Sequence, residues 1–425
     1  VLLCNPVRNF GYLFPLLFVS LALAQTPSTP EADRAAPAAS ATPQTRAGQI
    51  EAERRQKATE LQPDEPNRIE QVLNRIEDSR IIDRLTCGLD GLCIRFGGLI
   101  TYSGFAMGPE YVDHSLFHGA ATFRASAVGS THEAYLTEME LNIPDLADRL
   151  AFLNLSVTRR SFPRVDFYGE GPDSKKTGRS DYLLEDTSLQ VAPGIRPFAH
   201  LRLGGIGRYL LTNVGPGRDD SFISSDAQFT EAQVPGLDYQ TNFLQGGGYV
   251  QYDWRDNPGG PRSGGNYFAQ YSTFADTGVG RYSFDRVDLE AQQYIGFFNQ
   301  RRVIALRSRI QATQPHSGDR VPFYLQPTLG GPDDLRGFRA FRFYDNASVV
   351  ANAEYRWEVF SGLDMALFFD AGQVFDDWHQ INYRHLRTDA GFGFRFNIRN
   401  DVFMRIDTGF SNEGFAVWLK FNNVF

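Results

Sequence analysis

Residues 286–292 run Arg-Val-Asp-Leu-Glu-Ala-Gln, with a charge or amide at every second position and an apolar residue between. The same period recurs along the chain. Glu138 and Glu140 alternate with Thr137, Met139 and Leu141, and Asn154, Ser156 and Thr158 with Leu153, Leu155 and Val157. Gln251, Asp253 and Arg255 alternate with Val250, Tyr252 and Trp254. Asn352, Glu354, Arg356 and Glu358 alternate with Ala353, Tyr355, Trp357 and Val359, and Arg405 and Asp407 with Met404, Ile406 and Thr408. Successive side chains of a strand point to opposite faces. A face this charged, strand after strand, is too polar for the core of a sandwich. A sandwich with one solvated face tolerates some of it, but a lipid-facing exterior around a wet lumen accounts for both faces.

The N-terminus points the same way. Arg8, the apolar run GYLFPLLFVSLALA and the Ala22-Leu23-Ala24 site have the layout of a secretory signal over residues 1–24. Beyond it no run of 18 apolar residues occurs, so no membrane helix is expected and only a closed barrel could span a bilayer. Residues 25–45, rich in Ala, Pro, Thr and Ser, read as a disordered linker. Residues 46–92 read as a short helical segment, periplasmic or plugging. Ile69, Val72, Leu73 and Ile76 form an amphipathic stripe in its helix near 67–84. A net charge of -8 speaks against a nucleic-acid partner. Cys87 and Cys93 are candidates for a short disulfide in an exported chain, which needs their Cα atoms within ~7 Å, or are two unrelated thiols.

Residues 93–425 are expected to form an all-β, sixteen-stranded antiparallel transmembrane barrel in the bacterial outer membrane. Strands are placed near 93–101, 104–112, 119–129, 132–142, 149–161, 181–194, 197–212, 241–256, 265–276, 283–296, 301–313, 347–360, 363–374, 387–398, 401–410 and 414–425. This register puts the long connections, 162–180, 213–240, 314–346 and 375–386, on one side. Long outer loops and short periplasmic turns are the usual asymmetry of such barrels. Phe425, ending the last strand on an aromatic, suits closure at the periplasmic interface.

Within the longest of these connections lies GGPDDLRGF, residues 330–338. Gly330, Gly331, Leu335, Arg336, Gly337 and Phe338 make a turn-prone loop carrying one arginine, and the two following strands offer Glu354 and Asp370. The run LGGPDDLRGF resembles the loop-six arginine motif of the BamA/TamA superfamily, also called the bacterial surface antigen superfamily. YDWRDNPGGPRSGG, DFYGEGPDS and NAEYRWEVFSGLDMALFFDAGQVFDD resemble further segments of that family, in the same order. The resemblance implies a sixteen-stranded barrel whose arginine loop folds into the lumen to meet carboxylates on the next two strands. The register independently puts Glu354 and Asp370 on that face. A guanidinium forks onto carboxylates through paired hydrogen bonds that lysine cannot copy. The other reading of Arg336 is a solvated loop charge.

The resemblance also implies insertion or translocation of protein or lipid, with outer-membrane lipid and other outer-membrane proteins as partners and a monomeric state. Residues 25–92 do not read as the periplasmic repeat domains that feed such machines, so a compact form is expected. A passive or loop-gated channel is the alternative, motivated by Arg286, Asp288, Glu290, Arg307, Arg309 and Arg405 as lumenal charges. A barrel-based lipid enzyme is the third reading. The sequence holds no G-x-S-x-G and no H-E-x-x-H, and its seven His fall at no metal spacing. No catalytic residue and no cofactor are therefore expected.

Overall fold

The computed structural model describes residues 46, 50–53, 55–56, 87–89, 91–101, 103–398 and 400–421. The expected signal peptide, the linker at 25–45, the helix near 67–84 and Phe425 lie outside the described residues. Residues 46, 50–53, 55 and 56 are helical and fall in a unit, 1–65, distinct from the one formed by 66–425.

The second unit holds sixteen barrel strands. They are β1 (Leu92–Gly97), β2 (Ala106–Ser115), β3 (Ala121–Ser130), β4 (Tyr135–Leu146), β5 (Ala151–Phe167), β6 (Ser180–Phe198), β7 (Leu201–Pro216) and β8 (Phe243–Asp253). They continue as β9 (Gly264–Asp276), β10 (Phe284–Phe297), β11 (Arg302–Pro315), β12 (Ala347–Phe360), β13 (Leu363–Phe375), β14 (Arg387–Ile398), β15 (Asp401–Ser411) and β16 (Gly414–Phe421). Each pairs antiparallel with the next. Among the described residues β1 and β16 meet through the rings of Phe96 and Phe421, 5.2 Å apart, rather than through a ladder.

Alternation does the sorting that the sequence implies. Met139, Val157, Leu189, Leu289, Leu367 and Phe369 are exposed on the outward face, where lipid takes the place of a packed core. Their neighbours Glu138, Glu140, Asn154, Asp288 and Arg307 face inward and bond across strands. Asn154 donates to Glu140 at 2.5 Å, and Arg307 to Glu290 at 2.9 Å.

Three boundaries differ from the sequence reading. Cys87–Leu89 is a strand that folds back on β1, with Cys87 opposite Cys93, so the helical segment does not reach 92. Gly91, at φ 88°, makes the turn between them. Cys93 is disulfide-bonded. Strands β5, β6 and β7 run on through residues taken as loop at 162–180 and 213–240. Their upper ends carry Phe162, Val165, Phe167, Tyr182 and Val214, which pack with Phe323 and Tyr344 of the 316–346 loop into an apolar dome. A buried apolar face lets these strands continue above the bilayer, where a ~9–11-residue span would suffice to cross it. Finally, β8 stops at Asp253, and residues 254–263 leave the wall.

A charge on the lipid face tests this inside-out arrangement. Leu289→Arg, mid-strand and outward, is expected to cost ~2–4 kcal/mol at the bilayer midplane. Ser156→Arg, on the wet face beside Glu140, should cost far less. Folding yield into vesicles, read from heat-modifiable migration, checks both.

Candidate functional site

The loop joining β11 to β12 turns down into the lumen at Gly330 and Gly331, whose φ of 111° and 102° other residues rarely adopt. The amide of Gly331 donates to the carbonyls of Leu335 and Phe338, both at 3.2 Å, closing a compact turn. Leu335 and Phe338 are buried with Leu329, Phe343, Val350 and Val374, so an apolar contact seats the turn on β12 and β13.

That turn delivers Arg336, only 2% exposed, onto the inner face of the next strands. Its Nε and Nη2 donate to Oδ2 and Oδ1 of Asp370, both at 2.8 Å, and its Nη1 donates to Oε2 of Glu354 at 2.7 Å. The guanidinium lies 3.5 Å from the centre of the Phe368 ring. Phe368, Asp370 and Gly372 thus serve one task at alternate positions of β13: stacking, forking, and making room. A Cβ on Gly372 would crowd Leu329 and Leu335.

The backbone of the loop is held as firmly. Trp418 Nε1 donates to the Arg336 carbonyl at 2.7 Å, and Ser411 Oγ to that of Gly337 at 2.8 Å. Gly337 and Gly409 press together; a Cβ on Gly409 would stand 2.5 Å from the Arg336 carbonyl.

Several of these partners were not foreseen. Arg395 donates to Glu354 at 2.8 Å and to Asp407 at 2.5 Å, and Arg356 Nε donates to Glu354 at 2.6 Å. Arg405 approaches Asp407 at 3.1 Å and donates to the Pro332 carbonyl at 2.6 Å. Asn352 bridges Asp370 and the Asp334 carbonyl at 2.8 and 2.6 Å. All sit on the inward parity of β12, β14 and β15, so register was the signal that could have found them. Arg307, among the expected lumenal charges, also reaches the loop, donating to the Asp333 carbonyl at 2.5 Å. Arg309 meets Asp334 at 3.3 Å. Arg286 and Asp288 lie farther along the wall and pair with each other at 3.2 Å.

Below this cluster the lumen has a floor. The 254–263 turn is bound under β13 and the β14–β15 turn. Asn257 Nδ2 donates to the Asn400 carbonyl at 3.0 Å, the Val402 amide to the Gly259 carbonyl at 2.9 Å, and Arg262 Nη2 to Asp364 at 3.0 Å. A Cβ on Gly260 would overlap the Asn400 carbonyl. Between this turn and Arg356 and Arg395 about 10 Å³ remains, room for about one water.

Above, loop meets loop. Gln326 Nε2 donates to Glu170 at 2.8 Å, and Gly171 N to the Tyr344 carbonyl at 2.7 Å. Burial, with Asp345 and Asp376 nearby, pushes Glu170 up to about 7. Burial likewise raises Asp345 to about 6.

Residues 213–399 match the Omp85 superfamily domain. The structure is similar to BamA from Haemophilus ducreyi lacking POTRA domains 1–3, with a TM-score of 0.57 and 13% identity, over 78% of this chain and 69% of that one. It is also similar to CdiB from Escherichia coli, with a TM-score of 0.54 and 11% identity, over 77% of this chain and 61% of that one. At such identities the likeness speaks for the fold, and the chain spans less than two thirds of that CdiB. No curated protein matches the sequence.

Two predictions follow from the geometry. Truncating one partner of a buried ion pair costs ~3–5 kcal/mol, because the other charge is left unpaired. Arg336→Ala and Asp370→Ala should each lower the temperature at which the barrel loses heat-modifiable migration, and Arg336→Lys should rescue little, since lysine cannot fork. The second concerns pH. The folded protein holds a proton on Glu170 that the unfolded chain releases, so this contribution is full below the ordinary Glu value of 4.5 and is lost as pH rises to about 7. Proteolysis within 316–346 should accelerate across that window, and Glu170→Gln should flatten the dependence.

With its loop, lumenal acids and strand order in place, the chain carries a sixteen-stranded outer-membrane barrel, within which residues 213–399 match the Omp85 superfamily domain.

Proposed function

We propose that this barrel assists insertion or translocation of protein or lipid at the outer membrane. One observation carries the reading: a whole loop is held in the lumen, with one buried guanidinium shared between Asp370 and Glu354 at its centre. Such a loop can be kept or released as a unit. A simple open pore has no use for it, and the arginine turn with the ionic cluster beneath it argues against free diffusion there.

The other half of the wall favours a second reading, a loop-gated channel. Arg160, Asp186 and Arg208 face inward on β5–β7, away from the arginine loop, with Arg208 donating to Gln190 at 2.9 Å.

Depletion in cells separates the two. Assembly or translocation predicts that other outer-membrane barrels, or an exported cargo, fall in abundance. Normal levels of these, together with planar-bilayer conductance that rises in Arg336→Ala, would move the assignment to a channel.

A further inference from the structure

The 376–386 connection does not stand up into water. It folds over the outside of the barrel. Strand parity puts Ala353, Tyr355, Leu367 and Phe369 on the lipid side, and Gln373 and Phe375 share that parity at the top of β13. Yet Gln373 is 2% exposed and Phe375 is fully buried. The cover is the loop itself. Trp378 lies against Phe375, ring centres 5.0 Å apart. Gln373 Nε2 donates to the Gln380 carbonyl at 3.2 Å, and its Oε1 accepts from the Asn382 amide at 3.3 Å. An outward amide at a membrane edge must find partners or lose several kcal/mol; here the loop supplies both.

The loop exposes several large apolar side chains, interleaved with the polar Asp377, His379 and Arg384. Trp378, Ile381 and Leu386 are exposed, and Tyr383 is 80% exposed. This patch stands directly above the exposed belt residues Leu367 and Phe369. Gln373 is four positions beyond Phe369, ~13 Å along the strand, toward the long-loop end of the lipid-facing belt. Trp and Tyr prefer the headgroup boundary, with an apolar body in the acyl region and a polar tip in the headgroups. Arg384, exposed beside Tyr383, brings a positive charge to the level of lipid phosphates.

We infer that residues 376–386 form a membrane-interface flap, with Trp378, Ile381 and Tyr383 inserted into the lipid at the long-loop end of the barrel. The occupant of this face is lipid rather than a protein, because the loop lies on the outward face of the strand that carries the lipid-facing Leu367 and Phe369.

Single-site fluorophores test it. Ile381→Cys and Tyr383→Cys, labelled with an environment-sensitive dye, are refolded into phosphatidylcholine vesicles and confirmed as folded by heat-modifiable migration. Val279→Cys, in the 277–283 connection at the same end, serves as the water-exposed control, and labelled wild type as the blank. The flap predicts that a lipid carrying a nitroxide near its headgroup quenches positions 381 and 383 several-fold more than position 279, and that iodide quenches them several-fold less. Iodide quenching equal to that of position 279 would overturn the proposal and leave the patch a site for a soluble partner. Neither side chain is buried within the protein, so the labels do not disturb packing. A labelled variant that fails to fold is replaced by the other position.

Discussion

The structure depends on how a buried guanidinium is neutralised. Arg336 has five N–H groups to satisfy and is almost wholly buried. Asp370 takes two of them in parallel, Glu354 takes a third, and Phe368 lies beneath the plane. Glu354 in turn bonds Arg356 and Arg395, and Arg395 bonds Asp407. The charges of four strands are thereby tied through one loop side chain. A lumen lined with alternating charge is costly unless every charge finds an opposite neighbour, and the loop completes that pairing. It is part of the wall's electrostatics as much as an insertion into it.

The lumen is accordingly unequal. On the side of β11 to β16 the arginine turn sits on the ionic cluster with the 254–263 turn below, while the apolar dome of Phe167, Phe323 and Tyr344 caps the ends of β5 to β10. On the side of β3 to β8 the inward residues pair mainly with their cross-strand neighbours, such as Asn154 with Glu140 and Arg208 with Gln190. The filled side is rigid through shared hydrogen bonds. The other side is polar wall.

The sixteen strands, their order and the inward placement of Glu354 and Asp370 were legible because period two is a local property. A strand that presents Glu354 inward must present Tyr355 outward. What stayed hidden was non-local. Arg395 and Asp407 carry the right parity, but nothing in sequence says that they stand at the same depth as Glu354; stagger between strands decides that. Phe162 and Phe167 looked like loop because they lie beyond a membrane span, and only a dome built by distant residues makes them strand. The 254–263 segment, with its Pro and Gly, reads as a turn. Its docking on Asn400 and Val402 depends on two glycine-backbone approaches that composition does not reveal. The signal peptide, the 67–84 helix and Phe425 lie outside the described residues.

The contacts of the arginine loop carry a consequence for the order of assembly. Arg336 precedes in the chain every group that holds it: Glu354 on β12, Asp370 on β13, Ser411 at the end of β15 and Trp418 on β16. A chain emerging N-terminus first therefore carries an unmatched cation until β12 and β13 are in place, and an unfastened loop backbone until its last hairpin arrives. The loop cannot settle early on a half-built wall, because Gly409, against which its backbone closes, has not yet arrived. Seating of the loop thus doubles as a checkpoint on the wall: it registers that the C-terminal strands have joined in the correct stagger.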